Sequence, residues 1–262
     1  MVKNKIYFVS DVHLGAQALD DNHERELLFV QWLDSISADA KQLFIMGDLF
    51  DYWFEYRTVI PRGYVRTLGK LAELSDQGLD IHFFIGNHDI WADDFFSKEI
   101  GITVHKNEEV WEIFGKKVFL AHGDGLDPFD KSYLFLRKLF TNPFLQWCYS
   151  KLHPNLANRI AHGWSSKRRK RHQHEKVPFK GEKQEGMYVY AQSVQQKMHI
   201  DYFIFGHRHL LLDLPLGNKK TRYINLGDWI NFFSYGVLTE DGFQLFRYSE
   251  DRQEYTQNKK NK

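Results

Sequence analysis

The chain has 262 residues, 43% hydrophobic and 26% charged, with a formal net charge of +1, a balance that suits a globular protein with a large core and gives no global argument for nucleic acid as partner. Its single cysteine, Cys148, rules out an intramolecular disulfide, and no apolar run approaches the ~20 residues that a membrane helix needs. With no charged-then-apolar leader at the start, the expected compartment is a reducing cytoplasm.

Residues Lys5 to Ser10 read as a short buried strand that ends abruptly at Asp11-Val12-His13-Leu14-Gly15. From His23 to about Ile36, Leu27, Leu28, Val30 and Leu33 recur at helical spacing with charges between them. A strand over Gln42 to Met46 leads into Gly47-Asp48-Leu49-Phe50-Asp51. Pro61 to about Gln77 is a second amphipathic helix, stopped by Gly78. Asp80 to Ile85 is a strand that ends in Gly86-Asn87-His88-Asp89. This strand, loop, helix rhythm indicates an α/β core with functional loops at the carboxyl ends of its strands.

Val110 to Phe114 and Lys117 to Ala121 form a predicted hairpin around Gly115-Lys116, and its second strand ends in His122-Gly123-Asp124. Between about residues 126 and 183 the rhythm breaks into helix-like segments carrying Phe129, Tyr133, Phe135, Phe140, Phe144, Trp147, Tyr149 and Trp164, then the charged run Ser165 to Lys176. A helix at about Glu185 to His199 returns the chain to the core. Tyr202 to Phe205 is a strand ending in Gly206-His207-Arg208-His209, and further strands include Thr221 to Leu226 and Gly242 to Tyr248. From about Glu250 the sequence is polar and aperiodic, so the expected organisation is one domain over 1–249, a helical cap inserted at about 126–183, and a disordered tail over 250–262.

An Asp that follows a strand and a glycine, such as Asp48, reads first as a turn former. Five such strings change that reading: Asp11-x-His13, Gly47-Asp48, Gly86-Asn87-His88-Asp89, His122-Gly123 and Gly206-His207-x-His209. Each sets an oxygen or imidazole donor just beyond an apolar strand. Hard oxygens with imidazoles suit Mn²⁺, Fe²⁺ or Zn²⁺, and the lack of thiolates disfavours a closed structural zinc.

In this order the five blocks resemble the calcineurin-like metallophosphoesterases. The resemblance implies a four-layer αββα sandwich and two divalent metal ions, with manganese as the expected activator. It assigns Asp11, His13 and His209 to one metal, Asn87, His122 and His207 to the other, and Asp48 to both. It gives His88 a catalytic role as transition-state stabiliser or leaving-group acid, oriented by Asp89. Two cations ~3.5 to 4 Å apart can share a water, lower its pKa and clamp a phosphoryl group for in-line attack. The remaining histidines, His23, His82, His105, His153, His162, His172, His174 and His199, are read as structural.

The flanks narrow the substrate. Protein phosphatases carry an Arg shortly after the second Asp of their GD-x-V-D-R-G block, where this chain has Asp51-Tyr52-Trp53-Phe54. The strings Ser10-Asp11-Val12-His13-Leu14-Gly15 and Gly47-Asp48-Leu49-Phe50-Asp51-x-Trp53 are similar instead to the UDP-2,3-diacylglucosamine pyrophosphohydrolases of lipid A biosynthesis. That resemblance implies attack of water on the α-phosphorus of a lipid-linked UDP-sugar, releasing UMP and 2,3-diacylglucosamine 1-phosphate. It puts Asn87, His88, His207, Asp130 and Tyr133 against the substrate and adds Ser166 and Lys170 from the basic segment. The expected location is the cytoplasmic face of the inner membrane through peripheral contact, with no nucleic-acid partner; oligomeric state stays open. Proteobacterial members commonly have Arg where His88 stands, which leaves open whether this position is a fixed cation or a titrating acid. The alternatives are a soluble phosphodiesterase or nucleotide pyrophosphatase of the same superfamily, or a non-catalytic scaffold.

Overall fold

The computed structural model describes residues 3–17, 19, 21–161, 163, 179, 181–217, 220–248 and 254–256. Its first half lays down β1 (Lys5–Val9), α1 (Asn22–Ile36), β2 (Ala40–Met46), α2 (Val65–Asp76), β3 (Asp80–Phe84), a π-helical turn (Phe96–Ile100) and β4 (Thr103–His105). The second half adds β5 (Glu109–Ile113), β6 (Lys116–Leu120), α3 (Lys131–Phe140), α4 (Pro143–Ser150), α5 (Gly186–Gln195), β7 (Tyr202–Phe205), β8 (Leu211–Leu216) and β9 (Thr221–Leu226). It closes with β10 (Ser234–Thr239), β11 (Gly242–Tyr248) and β12 (Glu254–Thr256). Two sheets result, a seven-stranded one ordered β12-β11-β10-β1-β2-β3-β4 and a five-stranded one ordered β5-β6-β7-β9-β8.

Because strand side chains alternate between faces, each strand feeds two different cores. Ile6, Phe8, Phe44, Met46 and Phe84 meet Val118, Leu120, Ile204, Ile224 and Leu226 between the sheets. Their neighbours Tyr7, Val9, Leu43, Ile45 and Phe83 face outward onto Phe29, Trp32 and Leu33 of α1 and Leu71 and Leu74 of α2. Phe119, Phe203 and Phe205 face outward on the second sheet and pack on Met187, Tyr188 and Ala191 of α5. These three apolar layers make the four-layer αββα sandwich. Parallel pairing of β1, β2 and β3, and of β6, β7 and β9, brings their carboxyl ends to one edge.

Several boundaries differ from the sequence reading. Helix α2 starts at Val65 rather than at Pro61, since Gly63 intervenes with φ of 115°. The β5–β6 turn is Phe114-Gly115, both at positive φ (50° and 69°), the signature of a type I′ hairpin. Strand β8 lies at a sheet edge, where Pro215 costs no ladder bond. Within the segment read as a disordered tail, Glu254–Thr256 pair antiparallel with β11.

Candidate metal centre

The five motifs converge where β1, β2, β3, β6 and β7 end. Asp11, His13 and His209 offer ligand atoms within 4.8 Å of one another, as do Asp48, His122 and His207. Asp48 lies between the two groups: its Oδ2 is 3.6 Å from His13 Nε2 and 3.4 Å from His122 Nε2. Its other oxygen is occupied, since Oδ1 accepts from the His88 backbone N–H at 2.9 Å. Asn87 Oδ1 meets His207 Nδ1 at 2.8 Å on the His122 side.

The backbone pays for this convergence in strain. Among the described residues, the non-glycine positions with positive φ are Asp11, His13, Asp48, His207 and His209, together with Phe114 and Phe233. A non-glycine residue in the left-handed region costs on the order of 1–3 kcal/mol and clusters at functional sites. Gly86 and Gly206 have a steric reason. A Cβ on Gly86 would collide with Asp48 Oδ1, and one on Gly206 with Ser10 Oγ and Asp11 Oδ2.

Partners behind the ligands fix their tautomers. His122 Nδ1 donates to the Met46 carbonyl at 2.7 Å and His209 Nδ1 to Asp228 Oδ2 at 3.0 Å, which leaves each Nε2 as the atom that could coordinate a metal. Ser10 Oγ donates to Asp11 Oδ2 at 2.6 Å, and the His207 N–H donates to the same oxygen at 2.9 Å. Asp11 Oδ1 and His122 Nε2 are buried and have no hydrogen-bond partner among the described residues. Buried polar atoms left unpaired in this way are costly, and divalent cations would satisfy both. The donor set and these orphaned atoms therefore fit two such ions.

Charge follows the same pattern. Burial opposes ionisation of Asp48, but His122 and His88 more than offset it and hold its carboxyl well below the usual range. Burial likewise works against protonation of His122, and Asp48 and Asp11 overcome it to raise its pKa well above the ordinary value. Desolvation, reinforced by His122, pushes His207 down to about 4. The Asp228 carboxyl is buried, yet its bond to His209 brings it down to about 2. Two ionised carboxylates and the neutral His207 imidazole face one small volume, and a bound cation would take the place of the proton that Asp48 and Asp11 favour on His122.

His88 is held differently from the expectation. Its Nδ1 donates to the Asp51 carbonyl at 2.7 Å, and its ring packs edge-on to His13 with centroids 4.7 Å apart. Asp89 does not orient it. Asp89 Oδ1 accepts from the Gly86 N–H at 2.6 Å and Oδ2 from the Leu49 N–H at 2.8 Å, so it ties two ligand loops together. Adjacent side chains diverge, and Asp89 turns into the protein as His88 turns out. Burial and the Asp48 charge raise Asp89 to about 7.

Tyr133 and Asp130 both lie on the insertion. Asp130 caps α3, accepting from the Tyr133 N–H at 2.9 Å, so its carboxylate serves the helix. Tyr133 donates its hydroxyl to Asp124 Oδ2 at 2.8 Å, and its ring centroid is 5.9 Å from that of His207. Ser166 and Lys170 lie outside the described residues. Trp53, part of the string that narrows the substrate, is fully buried and stacks on Phe50 at 4.5 Å. Asp51, Asp124, Glu185 and Asp228 support the centre but were not read as site residues. Asp228 carried a usable signal, because Gly227-Asp228 follows an apolar strand just as Gly47-Asp48 does.

The profile of the calcineurin-like phosphoesterase family matches residues 4–211. A UDP-2,3-diacylglucosamine hydrolase of Porphyromonas gingivalis is 42% identical over 248 residues, covering 90% of this chain and 94% of that protein. One from Vibrio vulnificus is 29% identical over 243 residues, covering 91% and 95%. Among solved structures, the phosphoesterase Yfce from E. coli aligns with a TM-score of 0.47 and 17% identity over 95% of this chain and 96% of its own. By the family match over residues 4–211 and the 42% identity to the Porphyromonas gingivalis hydrolase, the chain belongs to the calcineurin-like phosphoesterase family, hydrolases that work with divalent metal ions.

Proposed function

We propose that the protein hydrolyses the pyrophosphate of UDP-2,3-diacylglucosamine at the α-phosphorus, giving UMP and 2,3-diacylglucosamine 1-phosphate, with two manganese ions. The observation that carries this reading is the position of Asp48 Oδ2 between two ligand groups in a chain 42% identical to a hydrolase of that name. Asp11, His13 and His209 would hold one ion and Asn87, His122 and His207 the other, with Asp48 shared. When bound, the two ions supply positive charge for the phosphoryl oxygens and an activated water.

The protein's own groups do the rest. With Nδ1 committed as donor to the Asp51 carbonyl, His88 presents Nε2 to the substrate; it donates a proton or hydrogen bond to a phosphoryl or leaving oxygen when the ring is protonated, a state that burial opposes and the Asp48 and Asp51 charges favour. Asn87, Tyr133 and His207 line the same space. The insertion at about 126–183 acts as the cap, and Asp124, through Tyr133, fixes α3 over the second ligand group.

Peripheral membrane contact at the inner membrane is supported by the outer surface of the insertion. Phe129, Phe135, Phe144 and Trp147 are 57–67% exposed, with Lys131, Lys138 and Lys151 among them. Exposed aromatic clusters of this kind mark interaction surfaces, and each lysine near an anionic bilayer adds about 1 kcal/mol. No helix of the described residues is long and apolar enough to cross a membrane.

The deciding experiment incubates purified protein with Mn²⁺ and UDP-2,3-diacylglucosamine and follows the products. UMP is the expected nucleotide, and release of UDP, or no reaction, removes the proposal.

A further inference from the structure

A cleft opens beside His122. It holds about 230 Å³, a little below the range of about 300–1,000 Å³ for small-molecule sites and of the size of one small polar ligand with its mouth open to solvent. Its walls are the end of β3, the β4–β5 connection, the loop after β6, and α3. The groups that matter are Lys106, Asn107, Glu108, Asp124 and Arg137, which make the lining predominantly polar. Nothing assigned so far uses Lys106, Asn107 or Arg137.

We infer that this cleft is the subsite for the nucleoside monophosphate half of the substrate, a deepening that rests on the function proposed above. In-line displacement at the α-phosphorus sends the two halves of a sugar nucleotide in opposite directions from the centre. One half carries acyl chains and the other a ribose, a base and a phosphate, so they need surfaces of different chemistry. Helix α3 separates those surfaces. Tyr133 and Arg137, four residues apart, share the face that meets Asp124, while Phe135 and Leu139 fall on the opposite side and are exposed.

The cleft side offers what a nucleotide needs. Arg137 donates Nε to Asp124 Oδ2 at 3.1 Å, which fixes the plane of its guanidinium at the cleft wall beside the second ligand group. Lys106 pairs with the exposed Asp93 at 3.3 Å, an exchangeable contact of small energy. These two cations match a phosphate that leaves the centre, whereas the Asn107 amide and Glu108 carboxylate match ribose hydroxyls and base edges. Acyl chains would find little there to bury against.

The test uses full-length, Mn²⁺-loaded protein and UMP as the probe, by calorimetry, with 2,3-diacylglucosamine 1-phosphate in detergent as the second ligand. Replacing both cleft side chains, Lys106→Ala with Asn107→Ala, is expected to weaken UMP about tenfold or more and to change the lipid product less than twofold. Lys98→Ala, an exposed residue outside the cleft, serves as control. Metal content and melting temperature establish that the double variant is folded and loaded. Unchanged UMP affinity in that variant, or equal losses for both ligands, overturns the subsite. Failure of wild-type protein to release UMP from the substrate would instead sink the proposed function, and UMP binding that still depended on Lys106 and Asn107 would preserve the cleft as a nucleotide site.

Discussion

Arg208, the residue between the two histidines of the last motif, is clamped by Glu185, with Nε to Oε1 at 2.6 Å and Nη2 to Oε2 at 3.3 Å. Glu185 is buried at the start of α5, so a helix of the outer layer sets the position of the loop that carries His207 and His209. Loss of a group that holds metal ligands in place typically costs about 10- to 100-fold in metal affinity. Glu185→Gln should therefore weaken Mn²⁺ binding by that factor, as read by titration of the metal-free protein. A variant that loses thermal stability yet binds Mn²⁺ normally would show the pair to be structural only.

Gly86 supplies a sharper steric test. Its missing side chain leaves room for Asp48 Oδ1 and the Asp48 backbone nitrogen, and the Gly86 N–H is itself held by Asp89. Gly86→Ala must displace the shared carboxylate. Misplacement of a reacting group by about 1 Å costs on the order of 10²-fold in rate. Turnover of bis(p-nitrophenyl) phosphate, a substrate with no lipid, should fall at least that far while far-UV circular dichroism stays unchanged.

Trp53 predicts the reverse. It packs in the outer core with Phe50, Phe95 and Phe96 at 4.5 to 5.6 Å between centroids. Trp53→Ala should cost ~3–5 kcal/mol in urea denaturation, the usual range for a large buried ring. The ratio of rates on acylated and non-acylated substrates should not move. A selective loss on one substrate would return Trp53 to the substrate site.

These cases show which features a sequence makes visible. The convergence of the candidate ligands was legible because each follows an apolar strand and because short motifs keep donors beside the residues that let them turn. Gly86 and Gly206 are part of that local grammar. Asp51, Asp124 and Glu185 were not legible, because each acts across long sequence separation, as Glu185 does on Arg208. Asp89 was misread because adjacency in sequence suggested contact with His88, whereas its carboxylate reaches Leu49. Trp53 was ambiguous, since an aromatic beside a motif looks the same whether it faces substrate or core. The layers of the fold were readable from alternation, but the faces of α3 depended on Tyr133 reaching Asp124.

Away from the centre, His82 gives a pH prediction. Its Nδ1 meets His105 Nε2 at 3.1 Å, and its Nε2 lies 3.1 Å from Asp80 Oδ2. Burial lowers its pKa, with Asp80 and Glu109 opposing and His105 adding to the shift. The folded protein then binds fewer protons than the unfolded chain as pH falls through about 6.5. Stability contributed by neutral His82 is present above that value and declines on acidification toward the lowered folded pKa. His82→Gln, which cannot titrate, should flatten the fall in melting temperature between about pH 7.5 and 5.5. An identical slope in wild type and variant would assign the acid sensitivity elsewhere.

The insertion helices give the last prediction, because the two faces of α3 should fail in different ways. Tyr133 is buried and bonded to Asp124 two residues after His122, so Tyr133→Phe loosens the loop itself and should lower rates on acylated and non-acylated substrates alike. A hydrogen bond to a charged group contributes about 1.5–3 kcal/mol, an upper limit of roughly 10- to 100-fold in rate. Phe135, Phe144 and Trp147 are exposed. Replacing all three by Ala should leave bis(p-nitrophenyl) phosphate hydrolysis intact while turnover of UDP-2,3-diacylglucosamine in anionic vesicles falls and sedimentation with those vesicles is lost. Equal losses on both substrates in the triple variant would mean that these rings hold the insertion together and do not meet lipid.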